Sequence, residues 1–352
     1  MRQKIKAVCG IMSAVTLFSN IITYSGFCAE KYVCVNSPCY PMKCGAEYER
    51  PELYVCGTPF GIKLLTDGVI VTGFAKIGDS DNAFELSPAG SAGIEKGDVI
   101  TSVNGEKITS SENMSELIAA SGESAELTYR RDDSEYTATV EIKRDTDGQP
   151  RIGLWVRDST AGIGTMTFYD AESGGCAGLG HAVCDVDTGG ILPLGSGKAN
   201  SPGELCGTLT PAQVDGSITD NCDCGLYAVL ESADTKGKLM PLAFGDEVKC
   251  GNAYILSTID SQTPEKYSVE IESVDIDGGE NKNMVIRVTD EELIGKTGGI
   301  VQGMSGSPIV QNGKLVGAVT HVFISDPTHG YGIFAQTMYE HLSGLKENEE
   351  AA

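Results

Sequence analysis

Apolar residues in this chain fall in short runs broken by glycine and polar turns, rather than in long stripes of helical spacing. Residues 68–74 form a nearly continuous apolar run bounded by glycine, which predicts a buried strand. Residues 97–105 predict a second strand that ends at Asn104-Gly105, a dipeptide favoured in tight hairpin turns. Residues 87–94 between the two runs predict a turn and a short helix.

One segment in the first half of the chain has helical rather than strand-like spacing of its apolar residues. Residues 111–121 carry three apolar side chains at helical spacing after a serine- and glutamate-containing start, which predicts a helix. Residues 125–130 and 136–143 alternate as strands on either side of a charged turn. Beyond residue 148, short apolar runs separated by glycine continue almost to the end. The predicted fold is therefore mainly β with minor α.

Composition and patterning divide the chain into five parts. The 352 residues include 44 glycines and only 13 prolines, which favours many short strands and turns. The parts are a leader (1–29), a Cys-containing linker (30–57), a first domain (58–147), a Gly-rich second domain (148–345) and an acidic tail (346–352).

Acidic residues outnumber basic ones, at 49 Asp and Glu against 26 Lys and Arg, for a formal net charge of −23. Such an excess repels nucleic-acid phosphates, so we expect no nucleic-acid partner. An acidic surface of this kind keeps a protein soluble and says little about its fold.

The N-terminus has the layout of an export signal. Arg2, Lys4 and Lys6 precede an uncharged, mostly apolar run over residues 7–29. Phe27 occupies a position where a cleavage site prefers a small residue, and the run is long enough to span a bilayer. We therefore expect export across the cytoplasmic membrane, with the leader either removed or retained as a membrane anchor.

The twelve cysteines suit an exported chain. Cys34, Cys39, Cys44 and Cys56 are closely spaced and allow two bridges in three connectivities. No C-x-x-C pair exists, and Cys222-x-Cys224 is the nearest pattern to one. The sequence therefore predicts neither a metal nor a cofactor.

The first domain resembles a PDZ domain of the kind found in bacterial proteases. The resemblance rests on residues 87–104 and on the tetrapeptide Pro59-Phe60-Gly61-Ile62. It implies that the turn at Phe60, Gly61 and Ile62 receives a peptide's terminal carboxylate and that residues 62–65 accept the peptide as an added strand. The alternative is that Phe60 and Ile62 are core residues of a small β domain.

The candidate nucleophile lies in a Gly-rich turn at residues 298–310, between two strand-like runs. Glycine allows the backbone geometry that directs neighbouring N–H groups at one point, and Gly303 and Ser305 would supply those donors to an oxyanion. The G-x-S-G-x-P pattern looks like the nucleophile turn of chymotrypsin-like peptidases. Residues 313–320 then predict a strand that completes a barrel.

Four alternatives to a Ser305 nucleophile remain open. Gly-Ser turns are common in β proteins without catalytic function, and Ser307 is a second hydroxyl in the same segment. A G-x-S-x-G hydrolase elbow fits poorly, because Ser307 replaces its last glycine and the flanks look like strands. A cysteine peptidase fits poorly too, because Cys176 and its neighbour His181 share one short turn.

A serine nucleophile needs a base, and four histidines are present: His181, His321, His329 and His341. His181 ranks first because it lies in a small-residue turn between apolar segments and precedes the serine. Sequence spacing does not select the third member of a triad. Asp185 and Asp187 are close to His181 in the chain, whereas Asp290 follows a strand between base and nucleophile.

The chain closely resembles the stage IV sporulation protein B peptidase family of endospore-forming bacteria. The resembling stretches are residues 155–159, 162–169, 178–181, 296–308 and 318–323. The resemblance implies a PDZ domain followed by a trypsin/chymotrypsin-like β-barrel serine peptidase domain.

The same resemblance implies a catalytic triad of His181, Asp290 and Ser305, a serine endopeptidase activity and no cofactor or metal. It further implies self-cleavage and a role in sporulation signalling. In that role the protein, in the forespore intermembrane space, cuts a membrane-bound regulator of an intramembrane protease and so activates a late sigma factor. The competing interpretation is a non-catalytic PDZ-type scaffold that binds peptides in the envelope.

Overall fold

A computed structural model describes residues 50–77, 87–132, 134–191, 194–200, 214–230, 237–260, 263–276 and 281–351. The expected leader and Cys34, Cys39 and Cys44 lie outside these residues. Among the residues that are described, no helix is both long and apolar enough to cross a bilayer.

Within the described residues the chain forms mostly strands, as predicted. The helices are α1 (Pro88–Ser91), α2 (Ser111–Ala120), α3 (Glu291–Thr297) and α4 (Ala335–Ala351), with a 3-10 turn at Gly245–Glu247. The strands are β1 (Glu52–Val55), β2 (Pro59–Phe74), β3 (Val99–Val103), β4 (Glu106–Lys107), β5 (Ser124–Arg131), β6 (Ser134–Glu141), β7 (Lys143–Arg144), β8 (Pro150–Arg151), β9 (Leu154–Tyr169), β10 (Gly175–Gly178), β11 (Leu194–Asn200), β12 (Val214–Cys222), β13 (Gly225–Leu230), β14 (Lys238–Pro241), β15 (Gly251–Ser257), β16 (Glu265–Val274), β17 (Met284–Val288), β18 (Pro308–Gln311), β19 (Lys314–Phe323) and β20 (Asp326–Phe334).

Two rings of antiparallel strands form the larger part of the fold. In the first ring the order is β2-β11-β12-β13-β10-β9, and the pairing of β9 with β2 closes it. The second ring is a closed barrel in the order β15-β16-β17-β20-β19-β18. Apolar side chains fill the second barrel, including Ile255, Ile286 and Val319, which are all fully buried. This is the predicted barrel architecture, now seen as two barrels.

The predicted PDZ-type module is inserted in the chain between β2 and β9. Both of these strands belong to the first barrel, so the chain enters the module from that barrel and returns to it. Its core combines strand residues such as Val71 and Leu127 with Ile118 of α2. The hairpin predicted at Asn104-Gly105 is confirmed, and both residues have positive φ, 51° and 79°. Helix α2 starts where predicted, with the Ser110 side chain accepting from the Asn113 N–H.

The structure corrects the predicted place of the tetrapeptide at residues 59–62. The expected strand at 68–74 and this tetrapeptide belong to one continuous strand, β2. Phe60, Gly61 and Ile62 pair with residues 162–164 of β9 on one edge, and Gly61 and Ile62 pair with residues 199–200 of β11 on the other. A strand hydrogen-bonded on both edges cannot accept a peptide strand. Phe60 and Ile62 are buried core residues, which was the alternative interpretation.

The acidic tail predicted at 346–352 is part of a helix up to Ala351, since α4 continues through it. The first turns of α4 pack on the barrels through Ala335, Met338 and Leu342, which are buried in a core cluster shared with β1 and β10. The C-terminal helix is therefore anchored at its start.

Candidate active site

The turn that carries the candidate nucleophile is fixed by a strand from the other barrel. It connects α3 to β18, and Thr165 and Thr167 of β9 are fully buried against it. The Thr165 N–H donates to the Ser305 carbonyl (2.8 Å), and the Thr165 hydroxyl donates to the Gly303 carbonyl (2.7 Å). The Thr167 hydroxyl donates to the Gly306 carbonyl (2.8 Å). Because both threonines are buried, the turn is held rigidly at the junction of the barrels.

The two serines of this turn have different environments. Ser305 is partly exposed, and its hydroxyl donates to the Thr320 carbonyl of β19 at 2.8 Å. Ser307 has no exposed surface, and its hydroxyl lies 3.3 Å from the Ser257 hydroxyl. A substrate carbonyl has access to Ser305 alone of the two. In the geometry seen here the Ser305 hydroxyl would have to leave Thr320 before attacking.

Two backbone N–H groups in the turn match the predicted oxyanion donors. Gly303 has a φ of 96°, which reverses the chain just before the nucleophile. Among the described residues, neither the Gly303 nor the Ser305 N–H donates to a protein acceptor, whereas the flanking Met304 and Gly306 amides do. The oxyanion role of both groups stays a prediction.

His181 reaches the same junction through a sharp turn after β10. Leu179 and Gly180 both have positive φ, 65° and 68°, and the Leu179 N–H donates to the Thr165 carbonyl (3.3 Å). Thr165 therefore contacts both the histidine segment and the serine turn. This shared strand residue links two segments that are more than a hundred residues apart.

The His181 ring is oriented by a carbonyl. Its Nδ1 lies 2.8 Å from the Ala182 carbonyl oxygen. Because a carbonyl only accepts, Nδ1 carries the hydrogen and Nε2 keeps a free lone pair. Burial lowers the pKa of His181 below its usual 6.5, an effect that the hydrogen bond to Ala182 partly offsets. The imidazole is therefore neutral near neutral pH, as a general base must be.

His321 lies beside the candidate base. The ring centroids of His181 and His321 are 4.9 Å apart, and His321 follows Thr320, the residue that accepts from the Ser305 hydroxyl. Burial, with a contribution from His181, lowers the pKa of His321. In the sequence, His321 is one of the four candidate bases and comes directly after the strand predicted at residues 313–320.

Asp290 occupies a different position from the other two predicted triad members. It is the N-cap of α3, and its carboxylate accepts from the Glu292 N–H (3.1 Å), the Leu293 N–H (3.0 Å) and the Ser268 N–H (3.1 Å). Within the described residues, no hydrogen bond connects it to His181. The structure thus brings Ser305 and His181 to one junction, while the role of Asp290 stays a prediction.

Other sequence candidates have partners elsewhere. Asp185 and Asp187 both form ion pairs with Arg157 of β9. His329 bonds to Asp326 at 2.7 Å in its own turn.

The alternative cysteine nucleophile has the wrong electrostatics. Cys176 is buried in β10, and burial raises the pKa of its thiol to about 12. A thiol with that pKa is protonated at neutral pH and is a poor nucleophile. Cys56 is a free, buried thiol in the same apolar cluster, and burial raises its pKa as well.

A second X-Φ-G-Φ segment, missed in the sequence, lies at Arg151-Ile152-Gly153-Leu154. Gly153 has a φ of 76°, and a Cβ there would lie 2.9 Å from the Ala75 carbonyl oxygen, so the turn requires glycine. The following residues of β9 pair with β2 on one edge. Over residues 154–157, no described strand pairs with the other edge of β9. The sequence already contained this pattern, because residues 151–154 repeat the X-Φ-G-Φ pattern of residues 59–62.

Helix α2 borders that edge. The N–H and hydroxyl of Ser111, the first residue of α2, both donate to the Asp158 carboxylate at 2.8 Å. Trp155 is 65% exposed beside the turn. A strand edge next to a helix, starting at a Φ-G-Φ turn, is the geometry by which PDZ domains add a peptide strand.

Comparison with known proteins agrees with this geometry. A sequence profile described as SpoIVB peptidase S55 matches residues 148–339, and a PDZ domain profile matches residues 85–131. The chain belongs to the SpoIVB peptidase S55 family. It is a serine peptidase with a PDZ domain, and the match spans His181, Asp290 and Ser305. No curated protein matches the chain.

Solved structures similar to parts of the chain include both PDZ domains and proteases. The PDZ domain of an SdrC-like protein from Listeria monocytogenes is 26% identical over 26% of this chain and 87% of its own, with a TM-score of 0.22. An inactive form of Rv3671c from M. tuberculosis is 16% identical over 53% and 82%, with a TM-score of 0.32. The HtrA-type protease AlgW, solved with a decapeptide, is 15% identical over 58% of each chain, with a TM-score of 0.35.

Proposed function

We propose that this S55 peptidase is an exported, self-cleaving serine endopeptidase of sporulation signalling. Its substrate would be a membrane-bound regulator of an intramembrane protease, and its cut would lead to activation of a late sigma factor. The supporting features are the family match, the export-type leader at 1–29 and the PDZ domain. We place its action in the forespore intermembrane space, with the N-terminus at the membrane.

The observation that supports the catalytic part is that Thr165 bonds both segments: its N–H donates to the Ser305 carbonyl, and its carbonyl accepts from the N–H of Leu179, two residues before His181. In the proposed reaction the Ser305 hydroxyl turns from Thr320 towards the substrate carbonyl and forms a C–O bond. Its proton passes to Nε2 of His181, and the Gly303 and Ser305 N–H groups hold the oxyanion. The protonated histidine then gives that proton to the leaving amine.

Water completes the cycle. It attacks the acyl-enzyme, loses a proton to His181 and releases the acid product, while Ser305 regains its proton. Asp290 is proposed as the group that stabilises the charged form of His181. This role requires movement of either the α3 N-terminus or the His181 segment, because the carboxylate bonds three backbone N–H groups in the arrangement described above.

The test of the nucleophile uses the full-length chain and a matched pair, Ser305→Ala and Ser307→Ala. We expect a fluorophosphonate probe to label the wild type and Ser307→Ala but not Ser305→Ala. Mass spectrometry should find self-cleavage fragments in the same two samples. If labelling persists in Ser305→Ala and disappears in Ser307→Ala, Ser307 rather than Ser305 is the nucleophile. No labelling of the wild type, at any pH, would favour the peptide-binding scaffold.

The peptide site is tested separately. We propose that residues 151–154 receive a substrate's C-terminal carboxylate and that the β9 edge after them accepts its strand. Peptides with a free C-terminus should bind the wild type, and their amidated counterparts should bind at least tenfold more weakly. Trp155→Ala should weaken binding, whereas Tyr136→Ala, which removes another exposed aromatic ring of the module, should not. Equal binding of free and amidated peptides would refute this site.

The biological role has its own test in the native host. A strain carrying the Ser305→Ala allele should form forespores yet leave a reporter of the late mother-cell sigma factor silent. A reporter that responds normally would exclude the sporulation role, but it would not contradict the peptidase activity.

A further inference from the structure

Two cysteines and a histidine that are far apart in sequence meet at the start of the C-terminal helix. Cys222 and Cys224 flank the tight turn between β12 and β13, and His341 lies on α4. One ligand atom from each lies within 4.8 Å of the others. The Sγ atoms of the cysteines are 3.1 Å apart, and the Cys222 Sγ is 3.5 Å from the His341 Nε2.

A carboxylate lies beside this group through its contact with the histidine, although it is outside the set whose ligand atoms all lie within 4.8 Å of one another. Asp220 lies two residues before Cys222 on β12, and its Oδ2 is 2.6 Å from the same His341 Nε2. The four donors are therefore two sulfurs, one nitrogen and one oxygen. Thiolate, imidazole and carboxylate are the ligand types of zinc, which prefers four of them in a tetrahedron.

The two cysteines and the histidine fit such a site with small side-chain movements. The Asp220 carboxylate would have to move as well, because its Oδ2 is 2.6 Å from the His341 Nε2 and a tetrahedral site separates nitrogen from oxygen by about 3.4 Å. With the usual zinc–sulfur and zinc–nitrogen distances, a tetrahedral site separates sulfur from nitrogen by about 3.5 Å and two sulfurs by about 3.8 Å. The first value matches the Cys222–His341 distance, and the second requires the thiols to separate by about 0.7 Å. Cys222 is only partly buried, so its side chain has room to rotate.

Groups around the cluster support a metal better than a disulfide. Tyr227 is fully buried, its hydroxyl lies 3.3 Å from the Cys224 Sγ, and its ring centroid lies 4.6 Å from that of His341. Such outer contacts orient metal ligands and stabilise a thiolate.

We propose that Cys222, Cys224, His341 and Asp220 bind one zinc ion. Binding replaces the protons of the two thiols, and of the imidazole where it is charged, and these are released to solvent without any redox change. The sequence pattern predicted no metal here, because a C-x-C pair is not a typical zinc-ligand spacing. The third ligand, His341, is more than a hundred residues away and reaches the pair only through the position of α4.

The zinc site would stabilise the segment that carries the catalytic histidine. Asn221, next to Cys222, accepts from the Val183 N–H at 2.8 Å and donates to the Val183 carbonyl at 3.0 Å. Val183 is two residues from His181. Gly225 closes the same turn, and a Cβ there would lie 2.9 Å from the Gly178 carbonyl oxygen. Zinc would thus join α4 to the turn against which the His181 segment packs.

The experiment uses the full-length chain, stripped with a chelator and titrated with cobalt(II), which reports thiolate ligands by absorption. We expect the visible bands of tetrahedral cobalt and their loss on adding zinc. Cys222→Ser, Cys224→Ser and His341→Gln should each lose one equivalent of metal relative to the wild type. Cys250→Ser, which changes an exposed thiol away from the cluster, is the control and should keep it. The comparison also separates this site from any metal bound by the cysteines before residue 50.

Thermal unfolding distinguishes lost metal from lost fold. Zinc should raise the midpoint of the wild type and of Cys250→Ser, and it should leave that of Cys222→Ser unchanged. The stripped forms of all three should unfold at similar temperatures. Cobalt bands that persist in both Cys222→Ser and Cys224→Ser would overturn the proposal. So would a Cys222–Cys224 disulfide found by mass spectrometry in the native protein.

Discussion

Gly306 follows the candidate nucleophile Ser305, and adding one methyl group there should disable the candidate active site. Its φ is 92°, a region that favours glycine. A Cβ there would lie 1.9 Å from the Thr165 carbonyl oxygen and 2.4 Å from the Leu179 N atom. Both contacts are backbone atoms of the strand and segment that hold Ser305 and His181, so neither yields easily.

The cost of Gly306→Ala has two parts. Backbone strain at a left-handed position costs about 1–2 kcal/mol. Overpacking against fixed backbone adds about 1–3 kcal/mol. The sum, about 2–5 kcal/mol, is a large share of the roughly 5–15 kcal/mol that stabilises a typical domain.

Gly313→Ala is the matched control. Gly313 also has a positive φ, 79°, yet a Cβ there would meet no atom within 4 Å. Gly313→Ala therefore has the backbone strain of a positive φ but no steric clash. Its thermal midpoint should fall by about 2–4 °C, the shift expected from about 1 kcal/mol in a domain of this size. That of Gly306→Ala should fall at least twice as far.

Activity should separate the two variants more sharply. A displacement of about 1 Å at a reacting group costs about 10²-fold in rate. Fluorophosphonate labelling of Gly306→Ala should therefore slow by about 10²-fold at a temperature where it is folded, while Gly313→Ala should stay within a few-fold of wild type. Equal midpoints and equal labelling rates for both variants would refute the packing argument.

Three further results are expected. Asp290→Asn keeps the helix cap on one oxygen but loses the acceptor for the Ser268 N–H, so it should lose about 1 kcal/mol. Asp290→Ala loses the cap as well, at about 1 kcal/mol more. A triad role predicts that folded Asp290→Asn labels about 10⁴-fold more slowly than wild type, and unchanged labelling would show that Asp290 acts only as a helix cap. Because burial lowers the pKa of His181, labelling should reach half its maximum below pH 6.5, and a midpoint above that value would contradict the burial argument. Glu247 bonds Arg50 and Lys314, which lower its pKa to about 2, so its stabilisation is complete above its usual 4.5 and is lost as pH falls through 2. Glu247→Gln should therefore cost on the order of 1 kcal/mol at pH 7, and chemical unfolding should show this cost shrinking as the pH is lowered from 4.5 to 2.

Much of the fold was predictable from local pattern. The strand–turn signal at Asn104-Gly105 and the helical spacing before Ser121 depend on residues within a few positions of one another. Local sequence determines such elements because a turn or an amphipathic helix is specified by its own side chains. The same holds for the Gly-rich turn around Ser305, whose positive φ angles only glycine tolerates well.

The sequence contains two copies of the pattern on which the peptide-binding prediction rests, and the structure rules out the copy that was chosen. Phe60-Gly61-Ile62 and Ile152-Gly153-Leu154 share the Φ-G-Φ pattern, and nothing local separates them. Strand pairing distinguishes them, since β2 is paired on both edges at residues 61–62, whereas residues 154–157 of β9 pair with β2 alone among the described strands. Pairing partners lie about 90 to 140 residues away, beyond what a local pattern specifies.

The sequence by itself determined the class of chemistry, because a serine in a glycine turn, a preceding histidine and a matching family pattern are written in the letters. Only the tertiary structure decided what surrounds them. It placed His321 beside His181, engaged the Asp290 carboxylate as a helix cap, and brought His341 to Cys222 and Cys224. The physical reason is the closure of two barrels and the docking of α4, which bring together side chains that no periodicity relates.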